Sequence, residues 1–486
     1  MNKLYNYNKC DSINTTYCFF SYINLEDYTH NLIDFCLPNN KIEKFKNTTE
    51  SNIILKYIYE PLHNFSISNI LFVILLLLLL FRYCYKQYRR NNEEYVSIFD
   101  DFKERKTDKR ENKFIILDVY KIITIYWILL SHIFLEIFGF KIFDNFNSIE
   151  NFIKNIFSQF IINSFYSVDI FFWIAGFLLA KNKDKIKENK FYKIVSYRLS
   201  RLLPLYYFIL FFVTSLYNVI LDNPLWNLII RNSSNCLNIN NYWKSILLIQ
   251  NYFDMNKQCL GSLWFVACEF QMFLILIIVI KYLNNNKKIL YGLILSQILH
   301  NSIISSILNY NITFLLPKYI YSFTIARITP YIFGYLSYEY IIEDISINTT
   351  KIKRNVIISS ILLILQIILP YFYYKNTNVL NIINNNLSSD YISVLYYGFD
   401  KFIFSLLFSF LSINLIYLTS DYRDYIITYL SKLTYGVYLV HPLIIYIFIL
   451  SNNNLLLFNS FMIFVYSIGI YIISFLTSYI LDKLIF

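Results

Sequence analysis

The sequence predicts an all-α integral membrane protein with about eleven transmembrane helices: one N-terminal span followed by a ten-helix bundle. Of the 486 residues, 56% are hydrophobic and only 15% are charged, whereas about a quarter of the residues in an average soluble domain are charged. Apolar runs of about 20 residues recur along the chain, which is the length of helix that crosses a bilayer. Basic residues cluster between these runs, as they do in the cytoplasmic loops of membrane proteins.

Hydropathy places the predicted spans near residues 67–85, 114–137, 164–180, 202–221, 262–280, 289–308, 326–342, 355–374, 394–418, 433–450 and 458–481. The first run carries Arg82, Lys86, Arg89 and Arg90 at its C-terminal end. The positive-inside rule therefore predicts that this end lies in the cytoplasm. An odd number of spans then leaves the N-terminus extracytoplasmic and the C-terminus cytoplasmic.

The same pattern divides the chain into four predicted parts. Residues 1–65 form a short extracytoplasmic N-terminal region, 66–86 the first transmembrane helix, 87–113 a charged cytoplasmic linker, and 114–486 the multi-pass membrane domain. The N-terminal region lacks the uninterrupted apolar core and small-residue cleavage site of a secretory signal peptide. We expect the protein in the endoplasmic reticulum or in the plasma membrane.

The net charge of +11 is explained by membrane topology rather than by nucleic-acid binding. The basic residues lie beside apolar runs, and the sequence contains no zinc-ligand spacing, P-loop or other nucleic-acid motif. We therefore expect membrane lipids as partners, and neither nucleic acid nor a metal ion.

The stretch LDVYKIITIYWILLSHIFLEIF is apolar but carries Asp118, Lys121 and His132. A helix advances about 100° per residue, so Lys121 and His132 share a face and lie about 16 Å apart along the axis. Asp118 lies one turn before Lys121 and can pair with it. A histidine near the middle of a bilayer is a functional hypothesis by default. A helix-packing hydrogen bond for His132 and a snorkelling anchor for Lys121 are the alternatives.

Charged residues also mark the third and fourth spans. Asp169 lies inside the third span, where it needs a partner within the bundle, and both structural pairing and catalysis remain open. Arg198 and Arg201 are three residues apart, on one helix face, just before the fourth apolar run. Planar guanidinium groups donate paired hydrogen bonds to phosphate, and positive-inside anchoring is the alternative.

Two cysteines, Cys236 and Cys259, share one predicted external loop. They are candidates for a disulfide in an oxidising compartment. Free thiols are the alternative.

Three segments share one family pattern: LDVYK with the histidine that follows it, SVDIFFWIAGFLLA, and YRLSRLLPLYY. They resemble the membrane-bound acyltransferase-3 family, in particular its animal-type branch, the nose-resistant-to-fluoxetine-like proteins. The first core helix of that family opens with Asp-x-x-Arg and, after ten intervening residues, reaches a histidine, which Asp118 and His132 match. The Arg-x-x-Arg pair of the family falls on Arg198 and Arg201, and its Val-Asp-x-Phe-Phe falls on residues 168–172.

Three further blocks follow in the order of the same family: CLGSLWFVACEFQMFL, ARITPYIFGYLSYEY and LSKLTYGVYLVHPLIIY. The matching positions are Cys259, Trp264 and Gln271 with Glu269 in place of Asp in the first block, Arg327, Pro330, Tyr331 and Gly334 in the second, and Tyr435, Tyr438, His441 and Pro442 in the third. The resemblance covers roughly residues 114 to 480.

The resemblance implies an acyltransferase whose donor is cytoplasmic acyl-CoA, a co-substrate rather than a bound cofactor. Arg198 and Arg201, with Lys121, would dock the phosphates, and the thioester would reach inward toward His132. An imidazole, whose ordinary pKa is near neutrality, suits a base for the acceptor's proton and also a transient nucleophile. Asp118 would orient Lys121.

The acceptor would be a lipid, sugar or peptide with a hydroxyl or amine, entering from the external side or from the lipid. Candidates to line its chamber, or to serve as structural polar groups, are Asp169, Trp264, Glu269, Gln271, Arg327, Tyr331, Tyr438 and His441.

Two features depart from the family. Lys121 stands where the family has arginine, and lysine cannot reproduce bidentate contacts, so donor binding is expected to be weaker or altered. The N-terminal region is also without the larger Cys-rich extracellular domain and the signal peptide usual in the branch. The role of that domain is therefore expected to be reduced or absent.

A transporter or channel is the main alternative, because four intramembrane charges are able to line a pathway: Asp169, Glu269, Arg327 and Lys401. The two halves of the chain show none of the internal similarity that transporters often have. A receptor or inactive scaffold is a third interpretation, which the exchange at Lys121 keeps open. A metal site formed by His132 and His441 is disfavoured, because no second ligand spacing supports it.

Overall fold

A computed structural model describes the greater part of the chain. The described residues are 15–23, 30–38, 53–58, 67–91, 114–139, 146–215, 239–253, 258–308, 318–342, 349–374, 391–419, 424–451 and 458–485, with 220, 221, 226 and 422.

The described N-terminal region contains a small antiparallel sheet. Its strands are β1 (Thr15–Ile23), β2 (His30–Pro38) and β3 (Ile53–Ile58), in the order β2-β1-β3. β1 pairs along its whole length with β2, from Thr15 opposite Pro38 to Ile23 opposite His30. Its pairing with β3 shifts register between Ser21 and Tyr22. The sheet precedes the predicted membrane domain.

Within the described residues from 67 onward, all regular structure is helical. The α-helices are α1 Ile67–Asn91, α2 Ile115–Gly139, α3 Phe146–Ile153, α4 Gln159–Ile162, α5 Phe165–Lys181, α6 Lys183–Glu188, α7 Phe191–Ser215, α8 Ile239–Ile246, α9 Trp264–Tyr282, α10 Lys287–Ile307, α11 Lys318–Tyr321, α12 Ile328–Ile342, α13 Thr349–Tyr374, α14 Tyr391–Leu418, α15 Tyr425–Leu450 and α16 Ser460–Ile485. Short 3-10 turns at Gln250–Tyr252, Gly261–Leu263 and Ile325–Arg327 connect some of them.

Each of the eleven predicted spans coincides with one of these helices. In the described part of the chain, eight are long and apolar enough to cross a membrane: α2, α7, α9 with the 3-10 turn before it, α10, α13, α14, α15 and α16. The other three are shorter, because α5 has 17 residues, α12 has 15 and the apolar part of α1 covers only Ile70–Cys84. The all-α multi-pass class predicted from the sequence is confirmed for the membrane domain.

Two helices begin well before their predicted spans. α7 starts at Phe191 rather than 202, and α15 starts at Tyr425 rather than 433. The predicted spans stop where the apolar run meets polar residues, but the backbone hydrogen bonds of the helix continue through those residues. The start of α15 is fixed by Asp424, whose side chain accepts a hydrogen bond from the backbone N–H of Ile427 at 2.9 Å, as an N-cap does. α1 likewise extends to Asn91, beyond the predicted boundary at 86.

The core lies around α9 and α15. In their most apolar windows, 67% and 72% of the residues are buried inside the protein, against 28% for α10, α13 and α16. The latter helices expose rows of leucine and isoleucine, such as Ile357, Ile361 and Leu365 on α13. Such rows suit contact with lipid. α9 and α15 are therefore central, and α10, α13 and α16 are peripheral.

The short helices α5 and α12 pack closely, backbone against backbone. A Cβ at Gly176 would lie 1.9 Å from the carbonyl oxygen of Tyr331, and a Cβ at Gly334 would lie 1.9 Å from that of Trp173. Small residues permit this approach between helices in membranes, where dispersion contacts replace the hydrophobic driving force. Only glycine fits at either position.

Near the start of these helices lies a buried charge network, formed by Asp169, Arg327, Lys401 and Asp400. Arg327 Nη1 donates to Asp169 Oδ1 at 2.7 Å, Lys401 Nζ lies 3.5 Å from Asp169 Oδ2, and Lys401 pairs with Asp400 at 2.8 Å. All four side chains are at most 3% exposed. Two cations offset two carboxylates, so the buried charge network is neutral and joins α5, α14 and the turn before α12.

We expect Gly176→Ala and Gly334→Ala each to lower the free energy of unfolding by about 3 kcal/mol or to prevent folding, because neither backbone oxygen has room for a methyl group. Gly292→Ala is the matched control, since no atom lies within 4 Å of its added Cβ. That control should be neutral or stabilising by up to about 1 kcal/mol, as alanine favours helix. Unfolding of the purified protein in detergent measures the three variants, and equal stability of all three would contradict the close crossing.

Asp169→Asn should lower the free energy of unfolding by about 3–5 kcal/mol, because it leaves Arg327 and Lys401 with one carboxylate between them in an apolar interior. The control is Glu150→Gln, which breaks an exposed pair with Lys154 at 2.6 Å and should change stability by at most about 1 kcal/mol. Chemical unfolding in detergent compares the two. Similar small effects would show that the interior pair is not required for folding.

Candidate functional site

Polar side chains meet at three levels along the contact between α2 and α15, which we name the α2–α15 seam. In order along both helices, the pairs are Asp118 with Ser431, His132 with His441, and Glu136 with Tyr446. The order of the pairs shows that the two helices run parallel. A single seam thus connects the charged start of α2 with the histidine pair in the interior.

His132 and His441 meet at the middle level of the α2–α15 seam. Their ring centroids are 5.1 Å apart with an interplanar angle of 80°. His441 is fully buried, whereas His132 retains part of its accessible surface. His441 Nδ1 lies 3.2 Å from the carbonyl oxygen of Val437, and because a carbonyl only accepts, Nδ1 carries the proton. His441 Nε2 has no hydrogen-bond partner in the described part of the chain.

At the start of the α2–α15 seam, Asp118 organises two neighbours. Lys121 Nζ donates to Asp118 Oδ1 at 2.9 Å, and Ser431 Oγ donates to the same oxygen at 2.7 Å. The side chain of Lys121 is 22% exposed, and that of Asp118 is 8% exposed. The carboxylate therefore orients a partly accessible ammonium group, which lies on the same helix as His132 and about 16 Å from it along the axis.

The two arginines predicted as a pair are not equivalent. Arg198 Nη2 donates to the carboxylate of Glu269 on α9, and its guanidinium lies 5.2 Å from the centroid of the Phe273 ring. Arg201 is exposed on the same helix, with its guanidinium 6.0 Å from the Tyr197 ring. Glu269 was predicted to line the acceptor chamber, but it pairs with Arg198, which was predicted to bind the donor. Arg201 is the more accessible of the two guanidinium groups.

An aromatic path connects the buried charge network with His441. The guanidinium of Arg327 lies 5.8 Å from the ring centroid of Trp264, and Trp264 lies 6.4 Å from its neighbour Phe265. Phe265 then contacts Tyr438 at 4.9 Å, and Tyr438 contacts His441 at 5.6 Å. Arg327 Nη2 has no hydrogen-bond partner among the described residues. The predicted site residues Arg327, Trp264, Tyr438 and His441 therefore form one series of contacts, in which Phe265 lies between Trp264 and Tyr438.

Gln271 and Tyr438 hold an irregular backbone segment against the bundle. Gln271 Nε2 donates to the carbonyl oxygen of Leu248 at 2.8 Å, and Tyr438 donates to that of Ser262 at 2.6 Å. Non-helical backbone at membrane depth is stable only where protein groups or water satisfy it. These two residues thus have a structural explanation, and Tyr438 in addition lies beside His441.

The remaining predicted residues are placed as follows. Tyr331 is fully buried on α12, and its hydroxyl has no hydrogen-bond partner within the described chain. Cys259 is disulfide-bonded, and Cys236, its predicted partner, lies outside the described residues. No group of three or more His, Cys, Asp or Glu side chains in the described ranges is arranged to hold a metal ion.

Sequence reasoning missed three polar residues in or beside the predicted site: Ser431, Asp400 and Glu136. Ser431 and Asp400 are common residue types, and nothing in their local pattern indicates the contacts with Asp118 and Lys401. Glu136 carried a usable signal, because it follows His132 by four residues and therefore shares its helix face.

Comparison with known proteins agrees with this architecture. The family described as "Acyltransferase domain", acyltransferase-3, matches residues 114–482. The chain is also 23% identical, over 407 residues, to nose resistant to fluoxetine protein 6 of Caenorhabditis elegans. That alignment covers 74% of this chain and 48% of the relative, so the chain spans about half the length of the relative it matches. No solved structure matches the chain.

The family match covers the ten helices from α2 to α16 that correspond to predicted spans, including the whole α2–α15 seam and the buried charge network. The similarity to the nematode protein supports the nose-resistant-to-fluoxetine-like branch. The chain belongs to the acyltransferase-3 family of multi-pass membrane proteins.

Proposed function

We propose that this protein is a membrane-embedded acyltransferase, which moves an acyl group from cytoplasmic acyl-CoA to a hydroxyl or amine at or across the membrane. The observation that carries the proposal is the contact of His132 with His441 inside the bundle. A partly accessible imidazole in such a position is rare without a function. Membership of the acyltransferase-3 family supports the general activity.

On the donor side, the phosphates of acyl-CoA bind Arg201 and Lys121, and Arg198 adds a weaker attraction. Arg201 is exposed, and the ammonium of Lys121 is oriented by Asp118. Arg198 is already paired with Glu269, so it attracts phosphate less strongly than Arg201 does. Lys121 acts as a point charge, without the bidentate geometry of the family's arginine.

In the transfer step, His132 takes the proton from the acceptor hydroxyl or amine as that atom attacks the thioester carbonyl carbon. The new carbon–oxygen or carbon–nitrogen bond forms, the carbon–sulfur bond breaks, and His132 returns its proton to the leaving thiolate of coenzyme A. The Nε2 lone pair of His441, which no described residue occupies, belongs to the ring that contacts His132, and it accepts a hydrogen bond from His132 once that ring is charged. His441 is in this way a positioning residue.

A transporter is less well supported. The four intramembrane charges on which that interpretation rests each have a partner of opposite sign: Arg327 and Lys401 with Asp169, and Glu269 with Arg198. Paired charges hold helices together and leave few free sites for a permeating ion. A flux assay for ions and small solutes in liposomes separates the two functions.

His132→Ala should lower the rate of acyl transfer by about 10²–10⁴-fold, the usual contribution of a general base. Transfer of radiolabelled acyl groups from acyl-CoA to lipid extract, in liposomes containing the purified protein, measures it. His300→Ala is the matched control, because that imidazole lies on α10 and contacts Asn301 instead. Retained turnover in a folded His132→Ala protein would reject the catalytic role.

Arg201→Ala should raise the KM for acyl-CoA about tenfold, because a charge-assisted contact to phosphate is lost. Arg354→Ala removes an exposed arginine from the start of α13 and should leave that KM unchanged. Adding Arg198→Ala to Arg201→Ala should weaken donor binding further, but it also leaves Glu269 unpaired and lowers stability. An unaltered KM in the double variant would remove both arginines from the donor site.

A further inference from the structure

The third level of the α2–α15 seam holds a carboxylate that the mechanism above does not use. Glu136 follows His132 by four residues, so the two side chains lie on one face of α2, about one turn apart. From α15, the hydroxyl of Tyr446 donates to Glu136 Oε1 at 3.1 Å. Glu136 therefore lies beside the reacting centre, on the side away from Lys121.

The charge of Glu136 is not balanced by a nearby cation. No described lysine, arginine or histidine lies within ion-pair distance of it, and Tyr446 is the hydrogen-bond donor that reaches it in the described part of the chain. Its side chain is only half-buried, so one carboxylate oxygen remains open to a further donor. The other interior carboxylates described above, Asp118, Asp169, Glu269 and Asp400, each have a cationic partner.

An intramembrane carboxylate without a cation is costly unless it has a use. A packing role would be served equally well by glutamine, which also accepts from Tyr446. The accessible surface of Glu136, together with that of His132, points instead to an occupant that touches both side chains. That occupant carries hydrogen-bond donors, because a carboxylate only accepts.

We propose that Glu136, positioned by Tyr446, binds the acyl acceptor and selects acceptors with at least two proton-donating groups, such as polyols and amino alcohols. The reacting hydroxyl or amine faces His132, while a second hydroxyl or an ammonium group of the same molecule donates to Glu136. An acceptor with a phosphate at that position is repelled by the carboxylate. This inference rests on the proposed acyltransferase function.

The test uses the full-length protein in liposomes, with acetyl-CoA or palmitoyl-CoA as donor and glycerol, ethanolamine or glycerol 3-phosphate as acceptor probe. The wild-type protein should prefer glycerol and ethanolamine to glycerol 3-phosphate. Glu136→Gln should raise the KM for ethanolamine and glycerol about tenfold, the value of one hydrogen bond to a charged group. The KM for the acyl-CoA donor should not change, and the preference over glycerol 3-phosphate should fall.

Two further variants separate binding from structure. Tyr446→Phe keeps the ring and removes the hydroxyl, so it should raise the acceptor KM by a smaller factor than Glu136→Gln does. Glu150→Gln, on the exposed pair with Lys154, should change neither KM. An unchanged acceptor KM in Glu136→Gln overturns the inference. The inference is also overturned if the variant protein has a lower melting temperature and loses kcat equally for every acceptor.

The outcomes also distinguish this inference from the proposed function. If the wild-type protein does not cleave the thioester of acyl-CoA at all, the acyltransferase proposal fails, and the role of Glu136 fails with it. If the wild-type protein transfers acyl groups and Glu136→Gln does so with the same acceptor preference, the role of Glu136 alone is rejected.

Discussion

The structure depends on one constraint: polar and charged groups inside an apolar bundle must find their partners within the protein. Hydrocarbon offers no hydrogen bonds, so an unpaired charge there is expensive. The buried charge network satisfies the constraint with two cations and two carboxylates on three different elements. Each ion pair between these elements forms only when the helices are correctly assembled, so the ion pairs favour this arrangement of helices over others.

The close crossing of α5 and α12 works together with that network. Gly176 and Gly334 bring the two backbones together, and Asp169 and Arg327 lie seven residues before them, at the same end of the crossing. Seven residues is about two helical turns, so in α5, and in α12 with the turn before it, the charged residue and the glycine lie on the same face, toward the other helix. Packing and electrostatics therefore hold these short helices in a single register, with α5 against the central helix α9.

The α2–α15 seam obeys the same constraint in a different way. Its first level is fully paired, through Asp118, Lys121 and Ser431, while its inner levels keep unoccupied hydrogen-bonding capacity on His441 and Glu136. Ionisable side chains without an ion pair, in an interior where Asp169, Arg327 and Lys401 have one, are typical of a site that binds a further molecule. The contrast between the levels thus separates the supporting part of the seam from its reactive part.

Hydropathy and residue spacing were sufficient for the helical class, for a helix at each of the eleven predicted positions and for the shared face of Lys121 and His132, because these are local properties of one helix. They were insufficient for helix starts within polar sequence and for every contact between helices. Arg198 and Arg201 are alike in sequence, yet the packing of α9 pairs the first and leaves the second exposed. Local pattern thus specifies which side chains share a helix face, but the assembled bundle specifies what that face meets, since contacts such as His132 with His441 join residues that are distant in the chain.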